Sequence, residues 1–382
     1  MRYCPLLLVI GFLFACQEAS PPTAPTSDPV AGAQAANTLL ASGSIVIVSL
    51  GFTAALDVDE QGRTVGWKSA STGAQAVVWS PGTARAATGT RTVLSGLGGD
   101  TYAWGLNDGA DITGGSTVGS ALHAVVWSSS ALHSIGEPAG AVGGFAEDIT
   151  NALSDGTRLV AGRSDFPTAS RPTVWRVSGT GSSLAVVGMD LLPGFGSNGS
   201  GQAIGVNSSG VVVGDAEAAG SDPQPARWTL SGTSWSITAL GLLAGQTYGQ
   251  VLGVSSTGDA VGFNRLAGGT ACMHGAVWPA NTVTPKPLHD LAGGLCSTAW
   301  SINAAGQITG SARDSRGRNQ AVLWLPSGTG TYTVLALGNR RGAFQSEGRG
   351  LNSPQADGTG GTALEVVGQS GGAAVLWKVK LP

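Results

Sequence analysis

The side chains most able to do chemistry are few, and their spacing forms no catalytic or metal-binding motif. The four histidines, His123, His133, His274 and His289, contain no His-x-x-x-His pair, the spacing that places two imidazoles on one face of a helix. None of them has a sequence partner typical of a nucleophilic triad. The sequence therefore predicts no catalytic, cofactor-binding or metal-ligating residue, and we expect no cofactor.

One acidic run begins like a calcium-binding loop. It reads Asp57-Val58-Asp59-Glu60-Gln61-Gly62. An EF-hand has a bidentate Glu at its twelfth loop position, and here that position is Lys68. The run is therefore predicted to be a turn. Carboxylates from distant parts of a chain can still converge, as glycoside hydrolysis requires. A hydrolase or lyase with a site at a central channel is therefore the alternative to a non-enzymatic function.

Two of the four cysteines are predicted to pair. Cys4 and Cys16 lie in an N-terminal targeting segment, which leaves Cys272 and Cys296, 24 positions apart. In an exported chain such a pair is typical of a disulfide. Two buried free thiols are the alternative.

Residues 1–16 have the features of an export signal rather than of a folded element. An arginine precedes a short apolar stretch, Pro5 to Phe14, and this is shorter than the ~20 residues that span a bilayer. The stretch leads into Leu13-Phe14-Ala15-Cys16, which resembles a bacterial lipobox and implies lipid attachment at Cys16. An ordinary signal peptide cut near Ala15 or Ala19 is the alternative.

A flexible tether is predicted to follow the signal. Residues 17–42 are rich in Pro, Ser, Thr and Ala, a composition typical of linkers. We therefore expect an exported protein that is lipid-anchored at the bacterial cell envelope, at the outer membrane or the cell surface. Its only contact with the membrane would be the lipid.

Seven copies of one pattern fill residues 43–382. Each copy has an aliphatic residue, an Asn, Asp or Ser, a turn, an aliphatic-Gly pair and an apolar-Trp pair. Apolar alternation between turns predicts four short strands in each copy of ~48 residues. Units this small must pack against their neighbours, so the sequence predicts an all-β fold, a seven-bladed β-propeller. The repeat-core residues expected between the blades are Trp79, Trp127, Trp175, Trp228, Trp278, Trp324 and Trp377.

The last copy lacks its fourth strand, and the first residues of the domain can supply it. Only five residues follow Trp377, whereas the apolar run Ser44 to Gly51 belongs to no other copy. Pairing of this run with the last sheet would close the ring and remove two exposed strand edges. We therefore predict that the N-terminal strand pairs with the last blade.

Two further tryptophans share one position. Trp104 and Trp300 both lie in the first strand of a copy, in copies two and six. They could line a channel or a face of the ring, although packing inside the fold is the expectation.

The repeated pattern resembles a known family of bacterial extracellular proteins, the HAF repeats. The resemblance rests on the succession Ala-x-x-aliphatic-Asn, turn-Gly, aliphatic-Gly and Ala-aliphatic-Trp, and it covers about residues 44–378. Copies three and seven depart from it, because Asn151 to Gly162 and Asn352 to Gly368 are longer than the seven-residue step of other copies. The resemblance implies export and a repeat scaffold, and it implies no particular activity.

Composition and loop pattern favour a binding scaffold. The chain has 20 basic and 23 acidic side chains and no basic run, which gives no reason to expect nucleic-acid binding. We expect a monomer whose partner is a protein or a polysaccharide. Five irregular segments between second and third strands are predicted to emerge on one side, where recognition usually takes place: 165–171, 215–226, 263–275, 311–320 and 353–365.

Overall fold

A computed structural model describes residues 45–196, 199–217, 222–266, 272–328, 330–358 and 360–381. The predicted signal peptide 1–16, the lipid-attachment residue Cys16 and the tether 17–42 lie outside the described residues. The described part is all-β, apart from a single turn of 3-10 helix at Gly181–Ser183.

Seven antiparallel sheets follow one another along the chain, and each forms one blade. The first strand of the described residues is β1 (Ile45–Ser49). Blade 1 contains β2 (Ala54–Val58), β3 (Thr64–Ala70), β4 (Gly73–Pro81) and β5 (Gly89–Val93), and blade 2 contains β6 (Thr101–Leu106), β7 (Ile112–Val118), β8 (Ala121–Ser128) and β9 (Ala131–Ser134). Blade 3 contains β10 (Gly143–Ile149), β11 (Arg158–Asp165), β12 (Ser170–Ser178) and β13 (Ala185–Leu191).

The remaining four blades repeat this order of strands. Blade 4 contains β14 (Gly201–Val206), β15 (Val211–Ala216), β16 (Gln224–Ser231) and β17 (Ser234–Ala239), and blade 5 contains β18 (Tyr248–Val254), β19 (Ala260–Arg265), β20 (His274–Trp278) and β21 (Lys286–Pro287). Blade 6 contains β22 (Ser297–Ile302), β23 (Ile308–Arg313), β24 (Asn319–Gly328) and β25 (Thr331–Ala336). Blade 7 contains β26 (Ser346–Leu351), β27 (Gln355–Ala356), β28 (Thr362–Ser370) and β29 (Ala373–Lys380).

The ring is closed by the first strand, which confirms the predicted seven-bladed propeller and its closure. β1 pairs antiparallel with β29, with Ile45 opposite Val379 and Ile47 opposite Trp377. The first strand of each blade contacts the first strands of both neighbouring blades, around the whole ring. These seven inner strands therefore surround the central axis.

The repeat tryptophans join the blades. Each is at most 4 % exposed and packs in an apolar cluster. Six of them donate an indole hydrogen bond, 2.7 to 3.2 Å long, to a backbone carbonyl in the connection from the preceding blade. Trp79 has no such bond among the described residues; there Arg91 donates to the carbonyl of Gly51, at the end of the closing strand. In six of the seven blades, one side chain thus combines apolar burial with a polar contact between blades.

The asparagines of the repeat make a second contact between blades. Each side-chain amide donates to the backbone carbonyl of the corresponding residue in the next blade, at distances of 2.9 to 3.1 Å. The pairs are Asn107 with Thr150, Asn207 with Ser255, Asn303 with Asn352, and Asn352 with Asp59.

The third and seventh blades differ in detail from the aligned pattern. In blade 3 the residue at the turn position is Thr150 and not Asn151. The N–H of Thr150 donates to the carbonyl of Leu159, and in blade 2 the N–H of Asn107 makes the equivalent bond to the carbonyl of Asp111. In blade 7 the segment 353–365 lies between β26 and β28, where it adds the short strand β27. It therefore connects a first strand to a second, and it does not share the side of the other four predicted segments.

Those four segments do connect second to third strands, on the side of the ring where the inner strands begin. A disulfide between Cys272 and Cys296 lies on the same side. It joins the β19–β20 connection of blade 5 to the residue before β22 in blade 6. We call this side the mouth face.

Candidate ligand site at the mouth of the central channel

Every inner strand carries a β-bulge at the same position, and the bulged residues line the channel. Each of the seven is partly exposed, although it lies on the innermost strand, and the residue before it is buried. A bulge turns a side chain out of the regular alternation, which here directs it to the axis. The seven are Leu56, Trp104, Glu147, Ile204, Leu252, Trp300 and Arg349.

Two of the bulged residues have ionisable side chains, and they influence each other across the ring. Glu147 is in blade 3 and Arg349 in blade 7. Burial raises the pKa of the Glu147 carboxyl to about 8; the Arg163 guanidinium opposes this shift, the Asp148 carboxyl adds to it, and Arg349 opposes it. Glu147 is therefore a protonated acid at neutral pH, able to donate a hydrogen bond into the channel.

Arg349 is held flat by its neighbours. Its guanidinium carbon lies 3.6 Å from the ring centroid of Trp300, and its Nη2 lies 3.2 Å from the carboxylate of Glu347. The same carboxylate accepts a 2.5 Å hydrogen bond from Trp300 Nε1. Three side chains from blades 6 and 7 are thereby fixed in one orientation.

Aromatic rings of blades 1 to 3 form a continuous run that includes the bulged residue Trp104. Ring centroids are 5.9 Å apart for Trp67 and Tyr102, 6.2 Å for Tyr102 and Trp104, and 6.1 Å for Trp104 and Phe145. The indole Nε1 of Trp104 is buried and has no hydrogen-bond partner among the described residues. A buried donor without a partner costs stability, so this atom is a candidate contact for a ligand.

Polar groups continue this run into blades 4 and 5. The Arg163 guanidinium carbon lies 4.3 Å above the Phe145 ring, and its Nη1 donates to Gln202 Oε1 at 3.3 Å. Gln202 is opposite Asp215 in the β14–β15 pairing, and Gln250 Nε2 donates to Asp215 Oδ2 at 2.9 Å. We call these six residues, with Trp104 at one end, the mouth belt: Trp104, Phe145, Arg163, Gln202, Asp215 and Gln250.

Asp215 is the one acid among the six residues of the mouth belt, and it is buried. It is 4 % exposed, and its Oδ1 atom has no hydrogen-bond partner among the described residues. Burial raises its pKa to about 6, although the Gln250 amide opposes the shift. Near neutral pH it is therefore mainly an anion, and the amides of Gln250 and Gln202 favour this charged form.

Two other channel carboxyls have structural roles. Asp57 Oδ2 accepts a 2.9 Å bond from the Leu106 N–H, and Asp148 Oδ2 accepts a 2.8 Å bond from the Val206 N–H. Both bonds run to the next blade. Burial and the Asp148 charge raise the pKa of Asp57 well above its usual value, and burial raises that of Asp148 to about 6. Within the run Asp57–Gly62, Asp57 thus joins two blades, and Asp59 holds the turn by accepting from the N–H groups of Gln61 and Arg63.

Two of the four histidines have partners outside the mouth belt. His123 Nδ1 is 3.1 Å from the Glu137 carboxylate, and His133 Nε2 is 2.8 Å from the carbonyl of Gly181. None of these partners lines the channel. Across the described ranges, no three His, Cys, Asp or Glu side chains are placed to hold a metal ion. No helix of the described residues has the length and hydropathy to cross a bilayer.

The sequence predicted packing inside the fold for Trp104 and Trp300, with a channel position as the alternative, and it gave no prediction for Glu147 or Arg349. A usable signal was present. Each bulged residue stands three positions before the turn residue of its copy, as Trp104 does before Asn107 and Arg349 before Asn352. Reading that offset in every copy would have placed all seven residues at the channel.

Comparison with known proteins supports the fold alone. No family model matches the chain, and no curated protein matches it. Among solved structures, the acylaminoacyl peptidase of Pyrococcus horikoshii is similar with a TM-score of 0.50 and 12% identity, over 86% of this chain and 52% of that one. The sialidase of Trypanosoma rangeli is similar with a TM-score of 0.44 and 12% identity, over 90% of this chain and 60% of that one. The chain thus spans about half to two thirds of these proteins.

Proposed function

We propose that this protein is an exported, lipid-anchored repeat scaffold of the HAF type, which binds a ligand at the mouth of its channel and catalyses no reaction. The observation that carries the proposal is the mouth belt, in which fixed side chains leave a donor on Trp104 and an acceptor on Asp215 without partners. Ligand sites combine apolar walls with a few convergent polar groups in this way.

The scaffold favours binding because it fixes these side chains before a ligand arrives. The belt residues lie on strands that pair within blades, and blades are joined by tryptophan and asparagine contacts. A preorganised site loses little conformational entropy on binding. Irregular connections of blades 3 to 6 surround the same face and could extend recognition beyond the belt.

Blocking the channel tests this proposal. We would replace Ile204, a bulged residue that is not part of the mouth belt, by Arg, and compare it with Val186→Arg on the exposed outer strand of blade 3. Residues 33–382 would be tested in a thermal-shift assay with a panel of cell-envelope and plant polysaccharides. A polysaccharide that binds the folded protein should raise its melting midpoint. The shift should vanish in Ile204→Arg and persist in Val186→Arg. A shift that persists in both variants would place the ligand elsewhere.

A hydrolase or lyase is the second candidate, and one observation favours it. Glu147 projects into the channel with a pKa near 8, and a carboxylic acid that is protonated at neutral pH can serve as a general acid. Chromatography of the same polysaccharides after incubation with the protein distinguishes the two functions. We expect no products, and products that disappear in Glu147→Gln would establish the enzyme.

The lipid anchor is tested separately from binding. Cells that express the full chain would be labelled with radioactive palmitate, with Cys16→Ser as the variant and Cys272→Ser as the matched control. Label is expected on the wild type and the control only. Equal label on all three would contradict attachment at Cys16.

A further inference from the structure

We infer that the ligand of the mouth belt is a neutral saccharide, whose hydroxyl groups contact both Asp215 Oδ1 and Trp104 Nε1. This inference rests on the proposed function and names the ligand class of the same site.

The two unpartnered atoms require opposite partners. Asp215 Oδ1 needs a hydrogen-bond donor, whereas Trp104 Nε1 needs an acceptor. A hydroxyl group is the common neutral group that does both, so a molecule with several hydroxyls satisfies both ends of the belt with one kind of substituent. An aliphatic or purely aromatic ligand would leave both atoms unsatisfied, at a cost in binding free energy.

The two atoms are linked by a continuous chain of side-chain contacts. Trp104 stacks near Phe145, Phe145 lies under Arg163, and Arg163 donates to Gln202, which is opposite Asp215. Each step joins side chains from the same blade or from neighbouring blades. A ligand that contacts both atoms would follow this chain from the aromatic rings to the amides and the carboxylate.

The remaining chemistry of the belt also fits a sugar ring. Aromatic side chains offer flat apolar faces to the C–H groups of a pyranose, and amides and carboxylates bind its hydroxyls. The Gln250 amide already donates to Asp215 Oδ2, which fixes the carboxylate and leaves Oδ1 free.

Charge favours a neutral ligand over an anionic one. Arg163 Nε lies 3.0 Å from the Asp165 carboxylate, and Arg349 lies 3.2 Å from that of Glu347. Both of these guanidinium groups therefore already have a carboxylate partner. A phosphate or uronate would have to compete with these partners and would also approach the Asp215 anion.

Conservative variants test the inference on the full chain in detergent micelles. The titrants are neutral hexasaccharides of glucose, xylose and mannose, with a hexauronate for comparison, and binding is measured by calorimetry. Trp104→Phe keeps an aromatic ring but removes the donor, and Asp215→Asn keeps the shape but replaces the free acceptor by a donor. Trp235→Phe and Asp190→Asn are the matched controls, on the outer strands of blades 4 and 3 respectively.

We expect at least one neutral hexasaccharide to bind, with affinity lowered about 10-fold by Trp104→Phe and about 10-fold or more by Asp215→Asn. The controls should leave it unchanged. If neither belt variant weakens the binding of a neutral saccharide, this inference is overturned. It is also overturned if the protein binds the hexauronate in preference to the neutral sugars. In both cases the proposed function is retained if Ile204→Arg abolishes binding. The absence of any saccharide binding also overturns the inference.

Discussion

Replacing Glu147 by Gln should stabilise the protein above neutral pH and flatten the dependence of its stability on pH. Burial raises the pKa of Glu147 from 4.5 to about 8 in the folded state. Between those values the folded protein holds a proton that the unfolded chain has released. The free energy of unfolding therefore falls as pH rises through this window. Gln has a similar shape and no charge to bury, so it removes this contribution.

The size of the effect follows from the shift. A pKa difference of one unit corresponds to about 1.4 kcal/mol, so the change from 4.5 to about 8 sets an upper limit near 5 kcal/mol for Glu147. Because the side chain is partly exposed to the channel, water screens part of this energy. We expect a gain of about 1–3 kcal/mol above pH 8, or a few degrees in melting midpoint for a domain of this size.

Thermal unfolding at several pH values between about 5 and 9 measures this directly. The wild-type midpoint should fall with rising pH more steeply than that of Glu147→Gln. Asp222→Asn, at an exposed position, is the control and should follow the wild type. Equal slopes for wild type and Glu147→Gln would refute the assignment of a buried, protonated carboxyl at the channel.

Three further predictions concern the contacts that hold the ring together. Removing Ile45–Ser49 deletes the closing strand and exposes the edge of β29. We expect the free energy of unfolding, measured with denaturant, to fall by several kcal/mol and to recover in part when the strand is added as a peptide. An unchanged unfolding midpoint would contradict closure of the ring by this strand. Trp228→Ala should destabilise the fold by about 3–5 kcal/mol, because this side chain is fully buried between blades. Trp235→Ala, on an outer strand, should cost far less, and similar losses would show that burial between blades is not the cause. Reduction of the Cys272–Cys296 disulfide should lower stability by about 2–4 kcal/mol; a Cys272→Ser/Cys296→Ser double variant should be insensitive to reductant, and sensitivity there would mean that the reductant acts elsewhere.

The architecture could be predicted because each copy repeats the same physical requirements. In each copy, an apolar residue lies at the end of the first strand, and a small polar residue occupies the turn that follows it. The third strand carries a large aromatic ring that packs between blades, as at Trp127 or Trp228. Because these requirements recur seven times, a match by chance in one copy has little effect on the prediction. The incomplete last copy and the unassigned run at Ser44 to Gly51 then determined how the ring closes.

The site could not be predicted in the same way because its residues differ from blade to blade. The bulged position holds Leu56, Trp104 and Glu147 in the first three blades, so no residue type marks it. A regular strand would alternate its side chains between the two blade faces, and only the bulge turns this one to the channel. The partners of Asp215 come from separate strands, and only the fold brings them together.

Insertions limited the alignment of individual copies. In blade 3 the longer turn shifted the assignment by one residue, from Thr150 to Asn151, because both can occupy a turn and only the backbone bond to Leu159 distinguishes them. In blade 7 the extra strand β27 was not apparent, because Gln355–Ala356 is too short to show alternation.

The most direct test of the central claim is the fluorine NMR spectrum of the full chain labelled with 5-fluorotryptophan, recorded during titration with the neutral hexasaccharides. The chain has 11 tryptophans, and single Trp→Phe variants assign the signals. If a saccharide binds along the mouth belt, the Trp104 signal should move, while those of Trp228 and the other tryptophans buried between blades stay in place. Movement confined to a tryptophan outside the channel, such as Trp235, or no movement with any sugar, would contradict the account.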